Sequence, residues 1–572
     1  NSRSPTSGWI TTPTDEGSLR TTKRCASLLV LGSLLATPVV LAQTPPDGGV
    51  PSMPADRYER QAALDVLHYE IAIDIPAEGA SVAGRTAVLY RAGIGGLNAV
   101  RLDLGAAMIV DSVSVDGASA PFERAGDRLV ISAPAAADER REAVIWYHGD
   151  PADGLIIGVS RHGRRAIFAD NWADRAHHWF PSIDHPSDKA SVEFEVVAPA
   201  ALEVVANGAF AGRIDLPGGR ARTRWVESSE IPVYGMVIGV TDFAVERAGV
   251  VDGIEVSHWT FSEDSAAGAV AFARSSEILA FYDSLFGPYP YEKLVHVQSA
   301  TKFGGMENPG AIFYDQEQIG TALAEDEAGR EDLASLVAHE TVHQWFGDAV
   351  TEADWNHLWL SEGFAEYFDA VFFEFHGGMQ GRGPAELARQ MRNRAANVLE
   401  LDPAGRRAIY SPGAGPGEYE TLLSAENYEK GAWVLHMLRR LIGDAAFFDG
   451  VRDYYATLRD DTAWTADFER VMEEASGRSL DWYFAQWIAR PGVPALRAAV
   501  VDDGGSRRLR IEQVQSGEPY RLAFEVELRA EGAVERRSVE MEGRSTEISL
   551  ELEGPVEVVI DPDAWLLFRD DS

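Results

Sequence analysis

A double change of hydrophobic period narrows the fold more than any other feature of this chain. From Leu64 to about residue 250, apolar and polar residues alternate: in LHYEIAIDI, Leu67, Tyr69, Ile71, Ile73 and Ile75 share one side, with His68, Glu70 and Asp74 on the other. Period two marks a half-buried strand, and short runs bounded by Gly, Pro and Asp, such as VEFEVVAP and YGMVIGVTDF, repeat it. From about Ser262 the period becomes helical. AGAVAFARSSEILAFYDSLFG is a helix-length segment stopped by Gly287-Pro288, and further helical segments run to WYFAQWIARPGVP, where Pro491, Gly492 and Pro494 end them. Period two then returns, with Leu522, Phe524, Val526 and Leu528 in LAFEVEL and Ile548, Leu550 and Leu552 in ISLEL.

At 572 residues the chain exceeds one ordinary core, so the pattern predicts an α+β multidomain protein. The expected parts are an all-β domain over 57–250, a mainly helical domain over 251–494 and a small C-terminal β-sandwich over 495–572. Residues 43–56, including TPPDGGVPSMP, read as a linker. Residues 1–42 read as an export address: Lys23 and Arg24 precede LLVLGSLL, and TPVVLAQ offers a small-residue cleavage site after Ala42. The apolar stretch Leu28 to Ala42 is interrupted by Pro38 and is shorter than the ~18 residues a membrane span needs, so a cleaved signal and a periplasmic or extracellular chain without stable membrane insertion are expected.

The one cysteine, Cys25, lies inside that address, which leaves no thiol nucleophile and no thiolate metal ligand in the mature chain. Eighty-nine acidic against 51 basic residues give a net charge of −38, which works against nucleic acid or an anionic membrane as partner. Oligomeric state has no signal here.

HETVH, His339 to His343, places two imidazoles four apart, on one face of a helix where they can share a metal ion. The flanks support that helix: Glu331 and Asp332 in the first turn, Leu333, Leu336 and Val337 as an apolar stripe, and Gly347 after the last turn. Two histidines leave room for one more protein ligand and an open position. With eighteen residues separating it from His343, Glu362 sits in the first turn of SEGFAEYFDAVFFEFHGG, whose Phe364, Phe368, Val371, Phe372 and Phe375 fall at helical spacing. That interval allows a loop and a second helix that returns the carboxylate to the first.

HETVHQWFGDAVTEADWNHLWLSEGFAEYF closely resembles the zinc aminopeptidases of the aminopeptidase N and leukotriene hydrolase family. FGGMENPGAIFY resembles that family's exopeptidase motif, NYEKGAWVL its catalytic-tyrosine segment, FGPYPYEKL the run before its catalytic core and FPSIDHPSDKASVEF a segment of its N-terminal domain. The resemblance implies a saddle-like N-terminal β domain, a thermolysin-like catalytic domain and one zinc ion held by His339, His343 and Glu362. It implies Glu340 as general base, Tyr428 as donor to the oxyanion, and Glu307 as the carboxylate that pairs with a substrate's free α-ammonium. Gly304, Gly305, Met306 and Asn308 match the rest of that substrate-binding motif, and the implied partners are peptides with a free N-terminus.

The chain departs from the family at several places. Pro309 replaces an aromatic residue, and alignment puts Asn171 or Trp172 where a second amine-anchoring Gln or Glu is usual. Glu366 and Asp369 share the helix face of Glu362; Asp369 matches a family position that orients a metal-bound histidine, with surface carboxylates as the alternative. The pair His177-His178 is expected to be structural or to lie in the substrate cleft rather than to hold a second metal. Many members continue into a large helical domain, so a chain ending at Ser572 is expected to have a more open cleft. An epoxide hydrolase of the same lineage would use the same zinc and glutamates. A non-catalytic scaffold would be betrayed by loss of Glu340 or a ligand, and none is lost.

Overall fold

The computed structural model describes residues 55–410, 414–503 and 506–572. The export address and most of the linker lie outside the described residues. Strands begin at Leu64–Asp74, which lies in an eight-stranded sheet, antiparallel to Val82–Ala92 and parallel to Lys189–Pro199. Its alternation is used as expected: Tyr69, Ile71 and Ile73 are buried, and Tyr69 stands opposite Val88 on one neighbour and Val192 on the other. A four-stranded and a three-stranded sheet complete this β-rich region.

The region expected to be mainly helical also carries a five-stranded sheet. Its strands run in the order Phe243–Val251, Ile254–Phe261, Lys293–Ser299, Ala311–Asp315 and Gly305–Met306, so it spans residue 250. Lys293–Ser299 pairs in parallel with both neighbours and is buried from Leu294 through Ser299, which is why it shows no alternation to read. Gly305–Met306, antiparallel to Ala311–Asp315, forms the edge.

The segment read as one helix before Gly287 is two, Ser265–Ala271 and α1, Ser275–Phe286. The break lies at Phe272, whose ring turns into the core against His296, centroids 5.3 Å apart. Then come α2 (Glu327–His343), α3 (Trp359–His376), α4 (Pro384–Leu401), α5 (Gly431–Ile442), α6 (Thr465–Ser476) and α7 (Asp481–Trp487). α2 starts a turn earlier than its acidic pair suggested, because the Asp326 carboxylate caps it by accepting the Gly329 N–H at 3.1 Å. α3 is the central helix, with Phe364, Phe368, Val371 and Phe372 wholly buried; Phe375, near its end, is 47% exposed and falls outside that stripe. At the C-terminal end a four-stranded and a three-stranded sheet each bury a face, Leu509 and Ile511 on one, Val526 and Leu528 on the other. Among the described residues no helix is long and apolar enough to cross a membrane.

Candidate active site

α2 and α3 build the centre of a cavity of about 420 Å³. Near the end of α2, His339 Nε2 and His343 Nε2 lie 3.1 Å apart, and each is 3.3 Å from Glu362 Oε2, brought in by the first turn of α3. The turn between the helices needs Gly347: its φ is +124°, and a Cβ there would lie 2.4 Å from Ser361 Oγ and 3.0 Å from His343 Nδ1. Ser361 Oγ and the Phe346 carbonyl both contact His343 Nδ1, at 3.0 and 3.1 Å, which fixes the ring with Nε2 toward Glu362. Glu362 Oε2 is buried without a hydrogen-bond partner. An orphaned carboxylate oxygen facing two imidazole nitrogens, all three ligand atoms within 4.8 Å of one another, is a donor set that fits a divalent cation.

Glu366 and Asp369 act differently from the expectation. Glu366 Oε1, one turn after Glu362, is the atom facing His339 Nδ1, at 3.6 Å. Asp369 sits a further turn along, accepts a hydrogen bond from Ser335 Oγ at 2.7 Å and pairs with Arg394 of α4. Arg394 also holds Glu366, Nε to Oε2 2.8 Å, so it fixes the carboxylate behind His339.

Tyr428 lies in a π-helical turn, Glu426–Lys430, that runs into α5. Its hydroxyl donates to Glu362 Oε1 at 2.7 Å. Two glycines allow that approach: a Cβ on Gly363 would lie 2.9 Å from Gly431 Cα, and one on Gly431 equally close to Gly363 Cα. Gly363→Ala is therefore expected to push the π-turn off α3, lowering kcat by roughly tenfold or more and stability by about 1–3 kcal/mol. Steady-state kinetics beside thermal melting check this, and an unchanged kcat would show that the close crossing does not position Tyr428.

The GGMEN segment borders α2. Glu340 is 5% exposed, and a Cβ on Gly305 would sit 2.0 Å from its Oε1, so only glycine leaves room for that carboxylate. Glu307, also buried, has a carboxylate oxygen within 4.8 Å of ligand atoms of Glu340 and His343. Gln344, the residue after the second histidine, ties this segment to α2. Its amide donates to the Glu307 carbonyl, while its Oε1 accepts from Gly310 N at 2.8 Å and Tyr289 Oη at 3.0 Å. Sequence reasoning missed this staple, as it missed Arg394. The only available signal was a polar residue at a position the helix buries.

Gly304, Gly305, Met306 and Glu307 line the cavity, with Phe303, Leu336 and Leu423 as apolar walls. Asn308 turns back, its side-chain amide donating to the Met306 carbonyl at 3.4 Å. Pro309 packs away from the cavity, against Gly235, where a Cβ would meet its Cδ at 2.5 Å. Of the two candidates for the second amine-anchoring position, Trp172 lines the cavity, against Phe303 and Trp355. Asn171 is spent in the core, donating to the Met236 carbonyl and accepting from Trp179 Nε1. His177 pairs with Asp184 at 2.7 Å and stacks near His178, neither lining the cavity.

Residues 270–487 match the peptidase family M1 domain. This chain carries an M1 peptidase domain. Its similar proteins include a "Probable aminopeptidase 1" of Saccharolobus solfataricus, 28% identical over 397 residues that cover 68% of this chain and 49% of that protein. An "Aminopeptidase N" of Lactococcus lactis is 28% identical over 57% of this chain and 38% of its own, and a "Leucyl aminopeptidase" of Saccharolobus solfataricus is 28% identical over 64% and 46%. The chain spans about half the length of curated relatives it matches.

The M1 domain concentrates opposed charge at the triad. Burial would raise the Glu362 pKa, but His343 and His339 overcome it and pull it down to about 2. Burial works against a charged His339, yet Glu362 and Glu366 lift it to about 9. Burial, with Glu307 and Glu362 adding to it against His343, pushes Glu340 well above the usual carboxylate range. Glu307 is raised by burial and by Glu362, and Tyr428 by burial and by Glu362, which keeps its phenol protonated as a donor.

Proposed function

We propose that this chain is a zinc-dependent aminopeptidase that removes N-terminal residues from peptides. The observation that carries this reading is the placement of two further buried carboxylates, Glu307 and Glu340, beside the His339–His343–Glu362 triad in one cavity. A single zinc ion held by the triad would supply Lewis acidity, polarising the scissile carbonyl and acidifying a water.

The chain's own groups account for the remaining steps. Glu340 takes the proton of the attacking water on its carboxylate and delivers it to the nitrogen of the leaving amine. Tyr428 Oη, whose one proton points to Glu362 Oε1, turns that proton to the oxygen on which negative charge develops. Glu307 pairs with the substrate α-ammonium, so that a chain extending beyond that point finds a buried, unpaired carboxylate instead of a partner. Gly305 and Met306 form the sheet edge along which the substrate would lie, with Gly304 and Asn308 flanking it. From the N-terminal β region the cavity receives Trp172 rather than a second carboxylate, which leaves amine recognition chiefly to Glu307. Similar proteins named as aminopeptidases support the reading. Export to the periplasm or exterior is part of the same proposal and rests on residues 1–42.

Aminoacyl chromogenic amides test the proposal. Turnover is expected to vanish with a chelator and to return with zinc, and chelator-insensitive turnover would contradict it. Glu307→Ala is expected to cost about 30-fold or more in kcat/KM, mostly through KM, because a desolvated ion pair loses one partner. Unchanged KM would remove Glu307 from amine recognition.

A further inference from the structure

α6 and α7, joined by the turn Gly477 to Leu480, bring together three carboxylates far along the chain from the triad. Glu469 and Glu473 are four apart on α6 and share a face, and Asp481 opens α7. One oxygen from each lies within 4.8 Å of the other two. Glu469 is 4% exposed, and neither of its carboxylate oxygens meets a hydrogen-bond donor among the described residues. A buried carboxylate in that state is costly unless a positive charge or a proton reaches it.

The neighbouring cations are engaged elsewhere. Arg470 pairs with Asp467 and Glu474, at 3.9 and 3.3 Å, and Arg478 donates to the Leu441 carbonyl. The turn itself steadies the other two carboxylates: Glu473 Oε1 accepts the Leu480 N–H at 2.6 Å, and Asp481 Oδ2 accepts from Ser479 Oγ at 3.2 Å.

We propose that Glu469, Glu473 and Asp481 form a binding site for a hard divalent cation of the calcium class, clamping α6 to α7. All three ligands are carboxylate oxygens, the choice of calcium rather than of zinc. Oxygens within 4.8 Å of one another can share an ion bound at about 2.3–2.6 Å. Exposed Asp481 and half-buried Glu473 leave the outer face open for water ligands. Burial and Asp481 raise Glu469 to about 8, so a proton shared between these two carboxyls is the competing occupant.

The clamp would brace the layer behind the triad. Phe468 of α6 packs edge-on against Phe364 of α3, centroids 5.1 Å apart, and also meets Trp359. Tyr483 of α7 donates its hydroxyl to the Val434 carbonyl of α5 at 2.6 Å. Both helices therefore lean on the elements that carry Glu362 and follow Tyr428.

The test uses the zinc-saturated full chain, with calcium chloride titrated during thermal melting and terbium luminescence excited through tryptophan; Trp482 adjoins Asp481 in sequence. The expected result is a saturable rise in Tm of roughly 2–5 °C at a hundredfold excess over Kd. Sensitised terbium emission that calcium displaces is also expected, and both signals are expected to be lost in Glu469→Gln and in Asp481→Asn. Asp481 is exposed, so its variant keeps the test usable should Glu469→Gln fail to fold. A wild-type Tm unmoved by calcium up to about 10 mM, beyond the weakest ordinary calcium sites, would overturn the proposal. So would a response that survives in both variants, or a calcium-blind wild type whose Tm instead follows protonation of a Glu469–Asp481 pair.

Discussion

Replacing Glu340 with Gln is expected to lower kcat on an aminoacyl amide by about 10³-fold, or about 4 kcal/mol of transition-state stabilisation, with KM and bound zinc almost unchanged. Gln keeps the shape that fits against Gly305 but cannot accept the water's proton, so what is lost is proton transfer and not packing. Glu340 is not one of the three atoms that converge at the triad, which is why metal content is expected to persist. Kinetics paired with metal analysis of the same preparation make the check. A variant within tenfold of wild type would assign the general base elsewhere.

His343→Ala is expected to act through the metal itself. The ring contributes Nε2 to the triad, with its other nitrogen held by Ser361 and the Phe346 carbonyl, so its loss removes one of the three ligand atoms that converge there. Two remaining ligands make a poor zinc site. After dialysis the variant is expected to retain less than about a tenth of the wild-type zinc and to show background turnover. Glu362, left buried with one imidazole in place of two, is also expected to cost about 2–4 kcal/mol of stability. Stoichiometric zinc in this variant would show that His343 is not a ligand.

The residues that converge at the triad were legible because their signals are local. A four-residue spacing on a helix brings His339 beside His343 whatever surrounds them, and an eighteen-residue interval followed by an aromatic helix allows the return of Glu362. The β-rich beginning was legible because one face of Leu64–Asp74 and of Lys189–Pro199 remains partly exposed and the alternation survives in the letters, whereas Ile238–Thr241 is buried throughout. Lys293–Ser299 was not, since burial on both faces removes alternation, and the five-stranded sheet went unforeseen with it.

Contacts between elements were equally hidden. The crossing of Gly363 and Gly431, the staple made by Gln344 and the hold of Arg394 on Glu366 join residues 28 to 68 positions apart, and no period reports them. The exposure of Phe375 shows the converse: helical spacing names a face, but packing decides how far along the helix that face stays covered. Trp172 emerged from an alignment that left two neighbours open, and only side-chain direction separates the cavity wall from the core.

The most direct measurement of the central claim compares one aminoacyl chromogenic amide with its N-acetylated form on the same zinc-loaded enzyme. With Glu307 buried next to the triad and awaiting an ammonium, the free amine is expected to be cleaved at least about 10²-fold more efficiently, because acetylation removes the charge and leaves that carboxylate unpaired. Equal kcat/KM for the two substrates would contradict an aminopeptidase and leave the triad serving a hydrolase that does not read chain ends.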